Sequence, residues 1–120
     1  MFKLNTKHVD KLLYKKLTET GFAVYKNEAP ENAIYPFIIY DYTYNTEDNR
    51  GDVDLSVYVW SNKNNIEVEN ISYLILEKLD TELCFDDYYS YRFFTKQPGD
   101  IDIFDNNIRT KTLNFELIIN

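Results

Sequence analysis

Asp52-Val53-Asp54-Leu55-Ser56-Val57-Tyr58-Val59-Trp60 decides the fold class of this chain. Val53, Leu55, Val57 and Val59 take every second position, with Asp54, Ser56 and Tyr58 between them. Successive strand side chains point to opposite faces, so the stretch predicts a strand with one buried and one wet face. An antiparallel sheet with one open side suits that pattern, whereas a parallel sheet covered on both faces does not. Upstream, Tyr35 to Tyr44 is rich in Ile, Phe and Tyr and predicts a second strand. Pro36 near its start marks either a strand beginning or an edge position. The polar run from Asn45 to Gly51 predicts a hairpin loop between the two strands. Downstream, Ser61 to Asn65 is a cap-rich turn. The stripe Ile71, Leu74, Ile75 and Leu79 then predicts a helix from Ile66 to about Glu82, with Glu67 and Glu69 suited to its first turn.

The two ends complete the pattern. Val9, Leu12, Leu13 and Leu17 predict a helix over Thr6 to Thr20, with Gly21 where a left-handed C-terminal cap is wanted. Phe22 to Tyr25 reads as a short strand, and Lys26 to Ala33, with Pro30 inside it, as a loop. Tyr88 to Lys96 reads as a strand and Gln97 to Asn107 as a loop with Pro98 and Gly99. Leu113, Phe115, Leu117 and Ile119 alternate with polar residues in a last strand from Ile108 to Ile119. The expected order is α-β-β-β-α-β-β, in a single α+β domain over residues 1–120. It has a mainly antiparallel sheet and two helices packed on one face.

Composition narrows the function classes. With 44% apolar and 17% aromatic residues, the 120-residue chain is too apolar for disorder. A net charge of −7 argues against broad binding to a phosphate backbone, which needs clustered cations. One cysteine, Cys84, excludes an internal disulfide framework, and one histidine, His8, excludes a multi-histidine metal site. No apolar run approaches a membrane span, and Met1 to Asp10 has no signal-peptide core, so a soluble, intracellular protein with no membrane partner is expected.

Chemistry-bearing motifs are scarce. Gly21, Gly51 and Gly99 are isolated, so no dinucleotide or phosphate loop forms. Cys84 lacks a base near it in sequence. Asp100, Asp102 and Asp105 form a D-x-D-x-x-D run, but the central glycine of a calcium loop is missing and Ile101, Ile103 and Phe104 intrude. Asp86-Asp87 and the group Glu47, Asp48, Asp52 and Asp54 lack an interleaved lysine or histidine at a metal-hydrolase spacing. Arg50-Gly51-Asp52 reads as a hairpin turn and Asn70-Ile71-Ser72 as part of a helix. The expectation is a protein without catalytic residues, metal or cofactor.

Tyrosine and charge distribution point instead to contacts. Eleven tyrosines exceed what a small core needs, and tyrosine supplies contact area and a hydrogen bond at low entropic cost. Tyr40, Tyr42 and Tyr44 share one side of a strand, and Tyr88, Tyr89 and Tyr91 cluster at the start of another, which suits an interface and equally suits a core with half-buried rings. Residues 1–20 carry five lysines against Asp10 and Glu19, while residues 67–87 carry seven acids against Lys78. Such segregation suits head-to-tail contacts between identical subunits, and equally suits two ordinary wet helix faces.

The stretch K-L-L-Y-K-K-L-T-E-T-G-F-A-V-Y-K-N-E-A-P-E-N-A-I-Y-P-F-I-I-Y from Lys11 to Tyr40 adds a resemblance. With Val57-Tyr58-Val59-Trp60-Ser61 and the following I-x-x-L-I-x-x-x-L-D helix, it resembles the tail-completion or tail-terminator proteins of long-tailed bacteriophages. The likeness covers about residues 8–80, and Glu28-Ala29-Pro30 with Tyr35-Pro36-Phe37 is its most telling pair. It implies a virion subunit, assembled in the host cytoplasm, that forms a hexameric ring capping the head-proximal end of the tail tube. The ring would stop tube growth, join the tail to the head connector and neck proteins, and let genomic DNA pass through its lumen. The expected subunit or partner contacts are Lys7, Lys11, Lys15, Tyr40, Tyr42, Tyr44, Tyr58, Tyr89 and Tyr91. The expected lumen acids are Glu47, Asp48, Asp52, Asp100 and Asp102. A head-closure or neck adaptor has the same bulk features and differs by partner. An acidic DNA-mimic inhibitor would want acids spread evenly over one face, and lysines interrupt them here.

Overall fold

A computed structural model of the chain describes residues 6–45, 51–79, 83–85, 90–104 and 107–119; at residues 6, 8, 45, 51–52 and 83–85 it describes the backbone alone. The first helix, α1, runs Thr6–Thr18. Val9, Leu13 and Leu17 recur every fourth residue and are at most 1% exposed, so one stripe of the helix is wholly buried. The helix ends two residues earlier than its sequence suggests because the last turn tightens. Thr20 N–H donates to the Leu17 carbonyl and Gly21 N–H to that of Thr18, at 3.2 and 3.0 Å. Gly21 then takes φ +92°, the left-handed conformation that a side chain would strain.

Among the described residues seven strands follow: β1 (Ala23–Lys26), β2 (Phe37–Asn45), β3 (Gly51–Ser61), β4 (Leu83–Phe85), β5 (Ser90–Thr95), β6 (Asp102–Phe104) and β7 (Ile108–Ile119). The second helix, α2 (Asn65–Leu79), lies between β3 and β4. The sheet order is β1-β2-β3-β7-β5-β4, with β6 also on β7. All pairings are antiparallel except β1 with β2. The α+β class and the order of the main elements are those the sequence suggests. Pro36 stands just before β2 and marks its beginning, since β2 is interior, paired on both sides.

Two short strands were not legible as such. The loop expected over Gln97 to Asn107 contains β6, because β7 outruns β5 and leaves its first residues open. β5 covers β7 from Phe115 to Ile119 and β6 covers it from Ile108 to Thr110. Between them Lys96 N–H and Gly99 N–H donate to the Asn114 and Thr112 carbonyls at 2.8 and 2.9 Å. A three-residue strand is too short to show a period. β4 carries Cys84, which lies in a strand paired to β5.

The alternation in β3 fixes the layers. Val53, Leu55, Val57 and Val59 are at most 1% exposed and face both helices in one core with Leu113, Phe115 and Leu117 of β7 and Ile71, Ile75 and Leu79 of α2. α2 starts at a cap: Asn64 Oδ1 accepts from Glu67 N–H at 2.8 Å, and Ser61 Oγ donates to Glu67 Oε1 at 2.6 Å. No described helix is long and apolar enough to cross a membrane. The described chain measures 49 × 27 × 24 Å.

Candidate functional site

Register decides which tyrosines meet solvent. Tyr40 pairs with Val57 and Tyr42 with Leu55, so the even positions of β2 share the core face. Tyr40 is 3% exposed, and Tyr91 of β5, paired with Ile119, is 1% exposed. Of the two readings open for these rings, core and contact surface, both residues take the core, so the contacts expected of Tyr40 and Tyr91 are not on the surface of the described chain. Tyr42 and Tyr44 are half-buried on the same face, their rings edge to face at 5.5 Å. Tyr58 alone of the described candidate tyrosines lies on the uncovered face, where its hydroxyl donates to Asp41 Oδ2 at 3.4 Å. Tyr89, Glu47 and Asp48, and the side chain of Asp52, lie outside the described residues.

Sequence reasoning missed a polar knot behind these rings. Tyr42 OH donates to Asp10 Oδ1 at 2.5 Å, and Lys26 Nζ donates to Asp10 Oδ2 at 2.9 Å and lies 5.0 Å from the Tyr42 ring centre. α1 is thereby tied to β1 and β2 through one carboxylate. Burial first, and the nearby Asp10 charge second, push the Tyr40 phenol up to about 12. Burial and the hydrogen bond to Asp10 raise Tyr42 further, and burial raises Tyr44. These phenols stay neutral over the physiological range, so none is poised as a nucleophile or base. Among the described residues no group of three or more His, Cys, Asp or Glu could hold a metal ion.

The remaining surfaces are shaped for contact. The sheet face opposite the helices carries an aromatic row at one end. Tyr35, Phe37, Trp60 and Phe104 follow at centroid separations of 5.0, 6.4 and 6.0 Å, and Tyr25 meets Phe37 edge-on at 5.8 Å. Trp60 Nε1, within this row, and Oγ1 of Thr110, its partner across β3 and β7, are buried without a hydrogen-bond partner among the described residues. Ile34, Ile103 and Phe104 are exposed at the same end. On the helix layer, Lys7, Lys11 and Lys15 form an exposed stripe on α1 beside Tyr14, as the lysine spacing suggests. Beside α2 a groove of about 280 Å³ opens between Phe22 and Ile66, Ile71 and Leu74, with Lys63 at its rim. Asp100 and Asp102 are exposed along the run into β6.

No family model matches the chain, and no curated protein is similar to it in sequence. Its fold is shared with a solved structure described as the virion of a native gene transfer agent (GTA) particle. That likeness has a TM-score of 0.70 at 12% sequence identity and covers 89% of this chain and 90% of that chain. The shared property is the fold.

Proposed function

We propose that the chain is a structural subunit of a phage-type virion, acting by binding and not by catalysis. Within that class it is a tail terminator: copies form a hexameric ring on the head-proximal end of the tail tube, end tube growth and present a docking face to the head connector. The observation that carries this reading is a common fold over nine-tenths of both chains with a component of a gene transfer agent virion. The Glu28-Ala29-Pro30 and Tyr35-Pro36-Phe37 motifs support the narrower role, since Phe37 opens β2 and anchors the aromatic row. Surfaces rich in exposed rings and aliphatic groups, with no cluster of catalytic groups among the described residues, suit a protein that works through contacts. Six copies at −7 each give a ring of −42, which repels DNA in the lumen and lets it slide.

The function is tested by polymerising the particle's own tail-tube protein with and without this chain. Tubes that shorten and stop as the ratio of chain to tube protein rises support termination. Lengths that do not respond, with the chain bound to portal or neck proteins instead, would move it to a neck-adaptor role.

A further inference from the structure

β5 and β6 are the two ends of one interrupted strand along β7. From Thr95, opposite Phe115, to Asp102, opposite Thr110, the chain takes seven steps while β7 takes five. Backbone bonds place the two extra residues. Lys96 N–H donates to the Asn114 carbonyl and Gly99 N–H to that of Thr112. Gln97 and Pro98 therefore share Leu113 as their opposite residue, and Asp100 and Ile101 share Lys111. Each step is a β-bulge, two residues against one. Because two residues are inserted and not one, the alternation of side chains is restored beyond them. Phe94, paired with Glu116, and Phe104, stacked on Trp60 at 6.0 Å, lie on the same uncovered face. Gly99 is not required for its backbone. Its φ is not left-handed, and a Cβ there would meet only the Thr112 carbonyl oxygen at 3.6 Å and Cβ at 3.8 Å.

Among the described residues no strand lies outside residues 96–104, since β4 covers only Ser90 to Arg92. This margin is longer than the four-residue β1 that ends the sheet on the other side. An open margin offers backbone N–H and C=O groups to a second chain, and this one carries Ile103 and Phe104, 55% and 47% exposed. Four features oppose such pairing. The bulges bend the margin twice, and Pro98 has no N–H to donate. Asp100 and Asp102 are exposed along it, so like charges meet when two copies align the same margin. Lys96 turns inward across the sheet to Asp54 at 2.9 Å. We propose that the double bulge from Gln97 to Ile101 is a guard that keeps this margin from pairing with the same margin of a second copy. It restrains assembly by directing contacts to side-chain surfaces and away from the backbone edge. The guard is separate from the ring reading and stands whether or not copies form a ring.

Deleting Pro98 and Gly99 together tests the guard. Gln97 then stands opposite Leu113, Asp100 opposite Thr112 and Ile101 opposite Lys111, and β6 keeps its register on β7. With Asp100→Thr and Asp102→Thr added, the shortened chain should associate beyond the parent's own state at a concentration about tenfold lower, as read by sedimentation. The amides of residues 100–104 should gain hydrogen-exchange protection that rises with concentration. Gly99→Ala keeps both bulges and should behave as the parent. Where circular dichroism shows the shortened chain unfolded, the full-length Pro98→Val, Asp100→Thr, Asp102→Thr chain carries the test, with a rise of about threefold. Whichever chain is folded, the parent's association state and no concentration-dependent protection overturn the guard. So does a parent chain whose own 100–104 amides become protected as concentration rises, since the margin is then a native contact.

Discussion

Asp10 shows how single residues set this surface apart from a reactive one. Its carboxylate holds Tyr42 OH and Lys26 Nζ together, so the most unusual polar cluster of the described chain is already self-satisfied. The Lys26–Asp10 pair is partly exposed at both ends, so screening reduces its worth. Tyr42→Phe should therefore cost about 1–2 kcal/mol through the lost hydrogen bond to a charged group, as read by urea denaturation. Tyr40 makes a pH prediction. Its folded pKa, near 12, lies above the ordinary phenol value of 10.0, so the unfolded chain loses this proton first. The stabilisation is complete below about pH 10 and is lost as pH rises from 10 toward 12, by roughly 3 kcal/mol at most. Tyr40→Phe should make the fall of the urea midpoint across that window shallower, with Tyr42 and Tyr44 still contributing to it, and equal pH slopes for the two proteins would contradict the assignment. The sequence shows that Tyr40, Tyr42 and Tyr44 share a side. It does not show which side, because both faces of β2 carry large residues and only the pairing with β3 breaks the tie.

Helices and strands were legible in proportion to their length and period. β3 announces itself because its polar positions, Asp54 and Ser56, mark the uncovered face without ambiguity. β7 does the same with Leu113, Phe115 and Leu117. β4 and β6, at three residues each, are defined by the open margin of a neighbouring strand and carry no period of their own. The aromatic row on the uncovered face was equally hidden, since Tyr35, Trp60 and Phe104 come from three distant segments that only the sheet register joins. Two predictions belong here. Asn64→Ala removes the acceptor that caps α2 and should cost about 1 kcal/mol, lowering the thermal midpoint by several degrees. Phe115→Ala opens the centre of the core, where the ring is 0% exposed, and should cost about 3–5 kcal/mol, much of the stability of a domain this size.

At the scale of the whole molecule, one layer of helices covers one side of a twisted sheet. The described chain is left with an open sheet face and an apolar end built from β6, the start of β2 and the start of α2. A surface of that kind fits a chain that works as one member of a ring. The sequence carries the resemblance to tail terminators in residues 8–80, while the exposed Ile103 and Phe104 of β6 lie beyond that stretch. The most direct measurement is negative-stain electron microscopy of the purified chain mixed with its tail-tube protein. The account predicts six-fold rings seated on one end only of tubes of uniform length. Monodisperse monomers beside uncapped tubes of every length would contradict it.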